Sequence, residues 1–246
     1  MIRFSYFIFA AWAGLMCSDV LQASTQDSLA SAPGLFRARL HSASFLPYSG
    51  KVLKLRPSSD LMITYDVGFI ICYAFESTDI ASRRYDINYF QTGFFKKFEV
   101  TKNLTATTVA ILEIPQNGKL YDDPFWVGGM VFTYSFSKHW ATDNTTLLVD
   151  GFKQSDSKDV INRLQVKYTS SSRWEASVLF WSNTSYFDHS AFNSAAMMLS
   201  FPILSEGKSP DLRASIVYQH MLNRDHGITA LKQGLNVSLS APITFW

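Results

Sequence analysis

Large apolar residues recur at every second position along this chain, and beyond residue 23 no uninterrupted apolar run approaches the roughly 18 residues of a membrane-spanning helix. Trp126, Gly128, Met130, Phe132, Tyr134 and Phe136 form one such series, and Ala195, Met197, Leu199, Phe201 and Ile203 another. The same alternation runs through Leu104 to Ile114, Val160 to Tyr168, Trp174 to Phe180, Leu212 to Tyr218 and Leu235 to Phe245. Successive side chains of an extended chain point to opposite faces, so each series is one face of a strand. None of these faces carries Asp, Glu, Lys or Arg, whereas the opposite faces hold Glu113, Arg163, Lys167, Glu175, Arg213 and Lys232 among many small residues. That pairing predicts a single closed antiparallel transmembrane β-barrel, all-β, with lipid outside and water inside. A Lys or Arg on the lipid face would cost about 2 to 4 kcal/mol at mid-membrane.

The longest apolar run, Val67 to Phe75, sits inside the series Leu61, Ile63, Tyr65, Val67, Phe69, Ile71, Tyr73 and Phe75, which reads as one long strand with Asp66 and Cys72 on its other face. Polar or Pro/Gly-bearing links separate the strands. Residues 222–230, 186–189, 153–159, 115–124 and 77–85 form one set, alternating with a generally shorter set at 206–210, 169–173, 139–143, 100–103 and 57–60. About twelve strands result, the first beginning near Leu35 and the second near Lys51; ten is also compatible. An even number follows if both ends lie on one side, and closure removes the unpaired edges that lipid cannot satisfy.

Residues 1–23 read as a cleaved secretory signal, with Arg3 as a short positive region, Phe4 to Met16 as an apolar core and Ala23 at the cleavage point. A short segment, 24–34, then leads into the barrel, 35–246. If Cys17 leaves with the signal, Cys72 is the remaining thiol and no internal disulfide is expected. The charged fraction of 17% is below the roughly 25% of soluble proteins, and the 15% aromatic content is high. A formal charge of +2 with no basic block argues against a nucleic-acid partner.

A signal peptide, amphipathic strands throughout and an aromatic-terminated last strand resemble the Gram-negative outer-membrane β-barrel proteins. The resemblance implies export to the outer membrane, contact there with lipid and lipopolysaccharide, and recognition of the closing strand by the barrel-assembly machinery. In that class a terminal aromatic stands in phase with the apolar series, which here is Phe245, with Trp246 one residue on. Trp126, Trp174 and Trp181 are expected in interfacial girdles.

Function is carried less directly. Facing inward, Arg37, Arg39, Arg163, Lys167, Arg213 and Lys232 outnumber Asp66, Glu113, Asp150 and Glu175. With Arg37 and Arg39 on the first strand and Arg213 and Lys232 on the last two, closure gathers a basic patch at the seam. The expected role is therefore a porin-like channel for small, anionic solutes, with Arg37, Arg39, Asp66, Arg163, Lys167, Arg213 and Lys232 lining it. A non-conducting structural or adhesive barrel and an outer-membrane lipid hydrolase are alternatives; a secreted soluble β-sandwich is the alternative from another class. Asp188, His189 and Ser190 form the best local catalytic cluster, but in a strand His189 and the adjacent Ser190 point to opposite sides. No His/Cys/Asp spacing suggests a metal, and no cofactor is expected.

Overall fold

The computed structural model describes residues 34–46, 51–80, 87–117, 120–121, 124–151, 159–185, 191–204, 212–224 and 231–245. These form β1 (Gly34–His41), β2 (Ser44–Leu46), β3 (Lys51–Lys54), β4 (Ser58–Asp66), β5 (Ile71–Asp79), β6 (Ile87–Thr101), β7 (Leu104–Asn117), β8 (Leu120–Tyr121), β9 (Phe125–Ser135), β10 (Trp140–Gly151), β11 (Asp159–Thr169), β12 (Glu175–Ser185), β13 (Ala191–Leu204), β14 (Leu212–Arg224) and β15 (Gln233–Phe245). β2 and β3 make a separate hairpin, and β8 adds only to the end of β7. The other twelve strands pair in an antiparallel ring that closes where β1 meets β15, from Gly34 opposite Phe245 to His41 opposite Ser238. The rim where β1 begins and β15 ends is called the near rim below, and the opposite one the far rim.

The side-chain alternation is inverted relative to a soluble protein. Phe132, Leu164, Phe180, Met197, Leu199, Ile216, Leu235 and Val237 are exposed on the outer wall, while Thr145, Arg163, Gln165, Lys167 and Gln219 are buried inside it. Only a surrounding hydrocarbon makes such an outer wall favourable, and only a closed ring lets every strand satisfy its backbone there.

The near-rim turns among the described residues are short and chemically specified. Thr101 Oγ1 accepts the Asn103 and Leu104 amides at 3.4 and 3.1 Å, and Ser137 Oγ accepts those of His139 and Trp140 at 3.2 Å each. Next to these turns the outward rings gather: Tyr168 lies between Trp140 and Trp174, with centroids 5.0 and 5.3 Å away, and Tyr134 meets Phe136 edge-on at 4.9 Å. Rings at this level match the aromatic belt of a membrane interface.

Three expectations about the first strands are corrected. The series Leu61 to Phe75 is two strands, not one, because residues 67–70 form a near-rim turn. The Val67 amide donates to the Ile70 carbonyl at 3.0 Å, and Gly68 adopts a φ of 90° that side chains resist. The turn changes the phase, so Leu61 and Ile63 face outward while Tyr73 and Phe75 face inward. Residues 57–60 lead into and begin β4 instead of forming a turn, and the segment at Lys51 belongs to the β2–β3 hairpin instead of the second wall strand. The two misassignments offset each other, which is why the count of twelve holds.

Close strand approach also limits side-chain size at interior positions, Gly129 among them. A Cβ on Gly129 would stand 2.1 Å from the Thr146 carbonyl oxygen and 3.0 Å from the Leu147 side chain, so β9 and β10 meet there only through hydrogen.

Leu164 is exposed at the middle of β11, four residues from the Tyr168 ring. Replacing it by Arg is expected to lower barrel stability by about 2 to 4 kcal/mol. Urea unfolding from lipid vesicles, followed by tryptophan fluorescence, measures this; an unchanged midpoint would show that this face does not meet hydrocarbon.

Candidate functional site: the barrel interior

The interior has apolar and charged sectors. Tyr73, Phe95, Val109, Ile111, Val127, Val131, Leu147 and Ile161 pack into one buried cluster across β5, β6, β7, β9, β10 and β11. Met62, Phe75 and Tyr89 form a second cluster with Leu35, and Leu179, Trp181, Ala196 and Val217 a third with Met198. Trp181, expected in a girdle, is thus an interior residue, because it shares the inward phase of β12 with Leu179; Trp126 and Trp174 are exposed on the outer wall.

Charged side chains occupy the remaining sectors. Near the near rim, Arg213 Nη2 stands 3.8 Å from Glu175 Oε1 and donates to the Arg173 carbonyl at 3.0 Å, while its Nε donates to Ser200 Oγ at 3.3 Å. Arg37, buried on β1, lies within the electrostatic reach of both Arg213 and Glu175. Along β10 to β12, Arg163 Nη2 donates to Thr145 Oγ1 at 3.2 Å, Gln165 Nε2 donates to Ser177 Oγ at 3.1 Å, and Asp143 feels both Lys167 and Arg163. On β6 and β7, Gln91 Nε2 donates to Glu113 Oε2 at 2.5 Å.

Toward the far rim the seam is tied by side chains. Arg39 stands opposite Asp60 in register, and Asp60 Oδ2 accepts from His41 Nε2 at 2.5 Å. Asn236 Nδ2 reaches His41 Nδ1 at 3.0 Å, and Asn236 Oδ1 accepts the Ala43 amide at 3.2 Å. With Nε2 as donor and Nδ1 as acceptor, the imidazole links β4, β1 and β15 across the closure. Both ring nitrogens are engaged, so His41 ties three wall strands together.

The expected lining residues are therefore distributed unevenly. Arg37, Arg39, Arg163, Lys167 and Arg213 all lie on inward phases. Asp66 does not reach the interior: it stands at the near-rim turn, where its Oδ1 accepts the Gly68 amide at 2.7 Å. Lys232 is exposed just before β15, and its carbonyl accepts the Met221 amide at 2.7 Å. Asp150, on β10, stands opposite Trp126 in register.

The basic excess expected inside is also corrected. Asp60, Asp79 and Asp143 join Glu113 and Glu175 as buried acids, so among the described residues the inward Arg and Lys residues are offset by acids. All three fell in segments read as connections, which hid them; the alternation Ser58, Asp60, Met62 was the available signal. Outside, β5 and β6 place Glu76 and Lys96 on the outer phase, the latter with its Nζ 5.3 Å from the Phe98 ring centroid. The cluster Asp188, His189 and Ser190 lies outside the described residues, as do residues 1–33 with the expected signal peptide, and Trp246. Phe245 ends β15 opposite Gly34. Among the described residues no cluster of His, Cys, Asp and Glu is placed to hold a metal ion.

No family model matches the chain, and no curated protein matches it. Solved structures do. The KdgM porin aligns with a TM-score of 0.56 over 86% of this chain and 99% of its own, at 6% identity. A structure titled KdgM porin in complex with disordered oligogalacturonate gives 0.54 over 87% and 99%, also at 6% identity. The NanC porin gives 0.54 over 87% and 99%, at 11% identity. At such identities the likeness is one of fold, a closed barrel of the porin kind.

Replacing His41 by Ala removes hydrogen bonds to two strands and leaves Asp60 buried beside Arg39. A loss of about 1 to 3 kcal/mol is expected. It would be read as a lower temperature for the shift between folded and unfolded gel bands; no shift would show that the seam holds without the imidazole.

Proposed function

We propose that the protein is a porin-like channel of the outer membrane that passes small solutes, with a local preference for anions set by Arg37 and Arg213. The observation that carries this reading is the inversion of polarity: the outer wall is mostly apolar and the inner wall holds most of the charges. A barrel that only anchored itself in lipid could fill its interior with apolar side chains, as a soluble core does. Here β1, β11, β12, β14 and β15 instead present Arg, Lys, Glu, Asn and Ser to the inside. The porin fold of the structural neighbours supports the same reading.

Size and charge follow from the packing. Tyr73, Leu147, Arg163 and Gln165 are each at most 1% exposed, so the interior is narrow and suits small solutes. Because the inward bases are offset by buried acids, anion preference does not rest on net charge. It comes from the place where two guanidiniums approach each other, Arg37 and Arg213, with Glu175 as the neighbouring acid. A low-dielectric wall strengthens such a local field. Transport is passive and involves no catalytic step. The outer wall meets lipid and, in the outer leaflet, lipopolysaccharide, after insertion by machinery that reads β15 with Phe245 and Trp246.

The apolar clusters favour one second reading, a non-conducting structural barrel whose interior is packed shut. Planar-bilayer recording separates the two. The channel reading expects discrete small steps and a reversal potential on the anion side in a salt gradient. Arg37→Glu with Arg213→Glu should move that potential to the cation side while the heat-shifted gel band persists. Folded protein that inserts without conducting would favour the structural barrel, and an unmoved reversal potential would remove these arginines from selectivity.

A further inference from the structure

The outer wall of β10 and β11 breaks the apolar rule at one place. Asn144, Thr146 and Asn162 are all exposed on the outward phase, with Thr146 opposite Asn162 in register. They are not rim residues. Leu148 and Val160 lie above them toward the far rim, and Leu164, Val166, Tyr168 and Trp140 lie below. Asn144 is four residues and Thr146 six residues past Trp140. At about 3.3 Å per residue and a strand tilt near 40°, this puts them ~10 and ~15 Å above the aromatic girdle, within an apolar belt ~25 Å tall.

Their hydrogen-bonding capacity is only partly used. Thr146 Oγ1 donates to Asn162 Oδ1 at 3.0 Å, which leaves the Asn162 amide N–H groups, and Asn144 has no side-chain partner among the described residues. Exposed Ser182, opposite Asn162 on β12, extends the patch, whereas several other outward hydroxyls are accommodated differently. Thr108 Oγ1 returns to the Lys96 carbonyl at 3.4 Å, Thr142 Oγ1 to the Gln165 carbonyl at 3.0 Å, and Thr78 Oγ1 to Glu76 Oε1 at 2.9 Å. A carboxamide offers two donors and an acceptor, and hydrocarbon offers it nothing.

We propose that this face of β10 and β11 is the contact between two copies of the chain, with Asn144, Thr146 and Asn162 bonding across it. The partner is identified by depth. A two-fold axis along the membrane normal carries each residue to an equal depth in the second copy, so the amides of one barrel meet those of the other. Carboxamides and hydroxyls are both donors and acceptors, which makes the patch self-complementary as an isologous interface requires. Exposed Met130, Phe132, Leu164 and Val166 surround it and supply the packing. The proposal concerns assembly and holds whether or not the lumen conducts.

Step-counting of fluorescently labelled protein in lipid vesicles at low protein density tests this, with mass measurement in mild detergent beside it. The wild type should bleach in two steps, and Asn144→Leu with Asn162→Leu should weaken association by roughly tenfold or more, as expected on losing a few intramembrane hydrogen bonds. The double variant should keep the heat-shifted folded band, because leucine suits a lipid face. Leu199→Ala, on the outer wall of β13, should leave the dimer intact. A wild-type chain that is monomeric in vesicles and in detergent overturns the proposal, as does a double variant that dimerises with undiminished affinity.

Discussion

A backbone amide in hydrocarbon has no water to fall back on, and this fold is organised around that fact. A sheet of twelve strands with two free edges would leave rows of N–H and C=O groups unpaired in lipid. Pairing β1 with both β4 and β15 removes the edges, and the ring then fixes which residues face inward. The seam is therefore where the chain invests side-chain bonds as well as backbone ones. His41, Asp60, Asn236 and Ser42 all cross-link it, with Ser42 Oγ accepting the Val237 amide at 2.9 Å.

Closure also decides the character of the interior. A ring this small brings opposite walls near enough for long side chains to interleave. Aromatic and aliphatic groups of β5 to β11 fill part of the space, and charged groups of β1, β11, β12 and β14 occupy the rest. Burial of charges in opposed sets keeps their desolvation tolerable. A passage through such an interior is shaped by a few guanidiniums and carboxylates at close range, not by a broad potential.

Much of the wall was legible in the sequence, and the reason is physical. From β7 onward, long strands with one lipid face must alternate strictly, so Leu104 to Ile114, Val160 to Tyr168 and Leu235 to Val237 could be placed on the correct face by period alone. The first third was less legible because its strands are short and its turn is apolar. Val67, Phe69 and Ile70 look like strand residues, and only Asp66–Val67–Gly68 hints at a turn; the phase change it introduces turned Tyr73 and Phe75 inward unseen. The interior partners were harder still. Alternation says that Arg163 faces inward but not that Thr145 meets it, since cross-strand neighbours depend on register. Asp143 and Asn144 are adjacent polar residues of similar size, and nothing in their identity tells which one faces the lumen and which the lipid.

The last strand is held unequally along its length. Among the described residues β14 is paired with β15 from Gln233 to Ser240, β1 accompanies β15 on to Phe245, and Pro242 within that stretch has no amide to give. The far half of the same strand is clamped by Asn236 and by the backbone bond from Ser42 to Val237 at 2.9 Å. The side-chain clamps of the closure thus sit toward the far rim, and the missing backbone donor toward the near one. Mechanical load on the closure would therefore meet its weakest backbone ladder beside Pro242 and its densest side-chain bonding at His41.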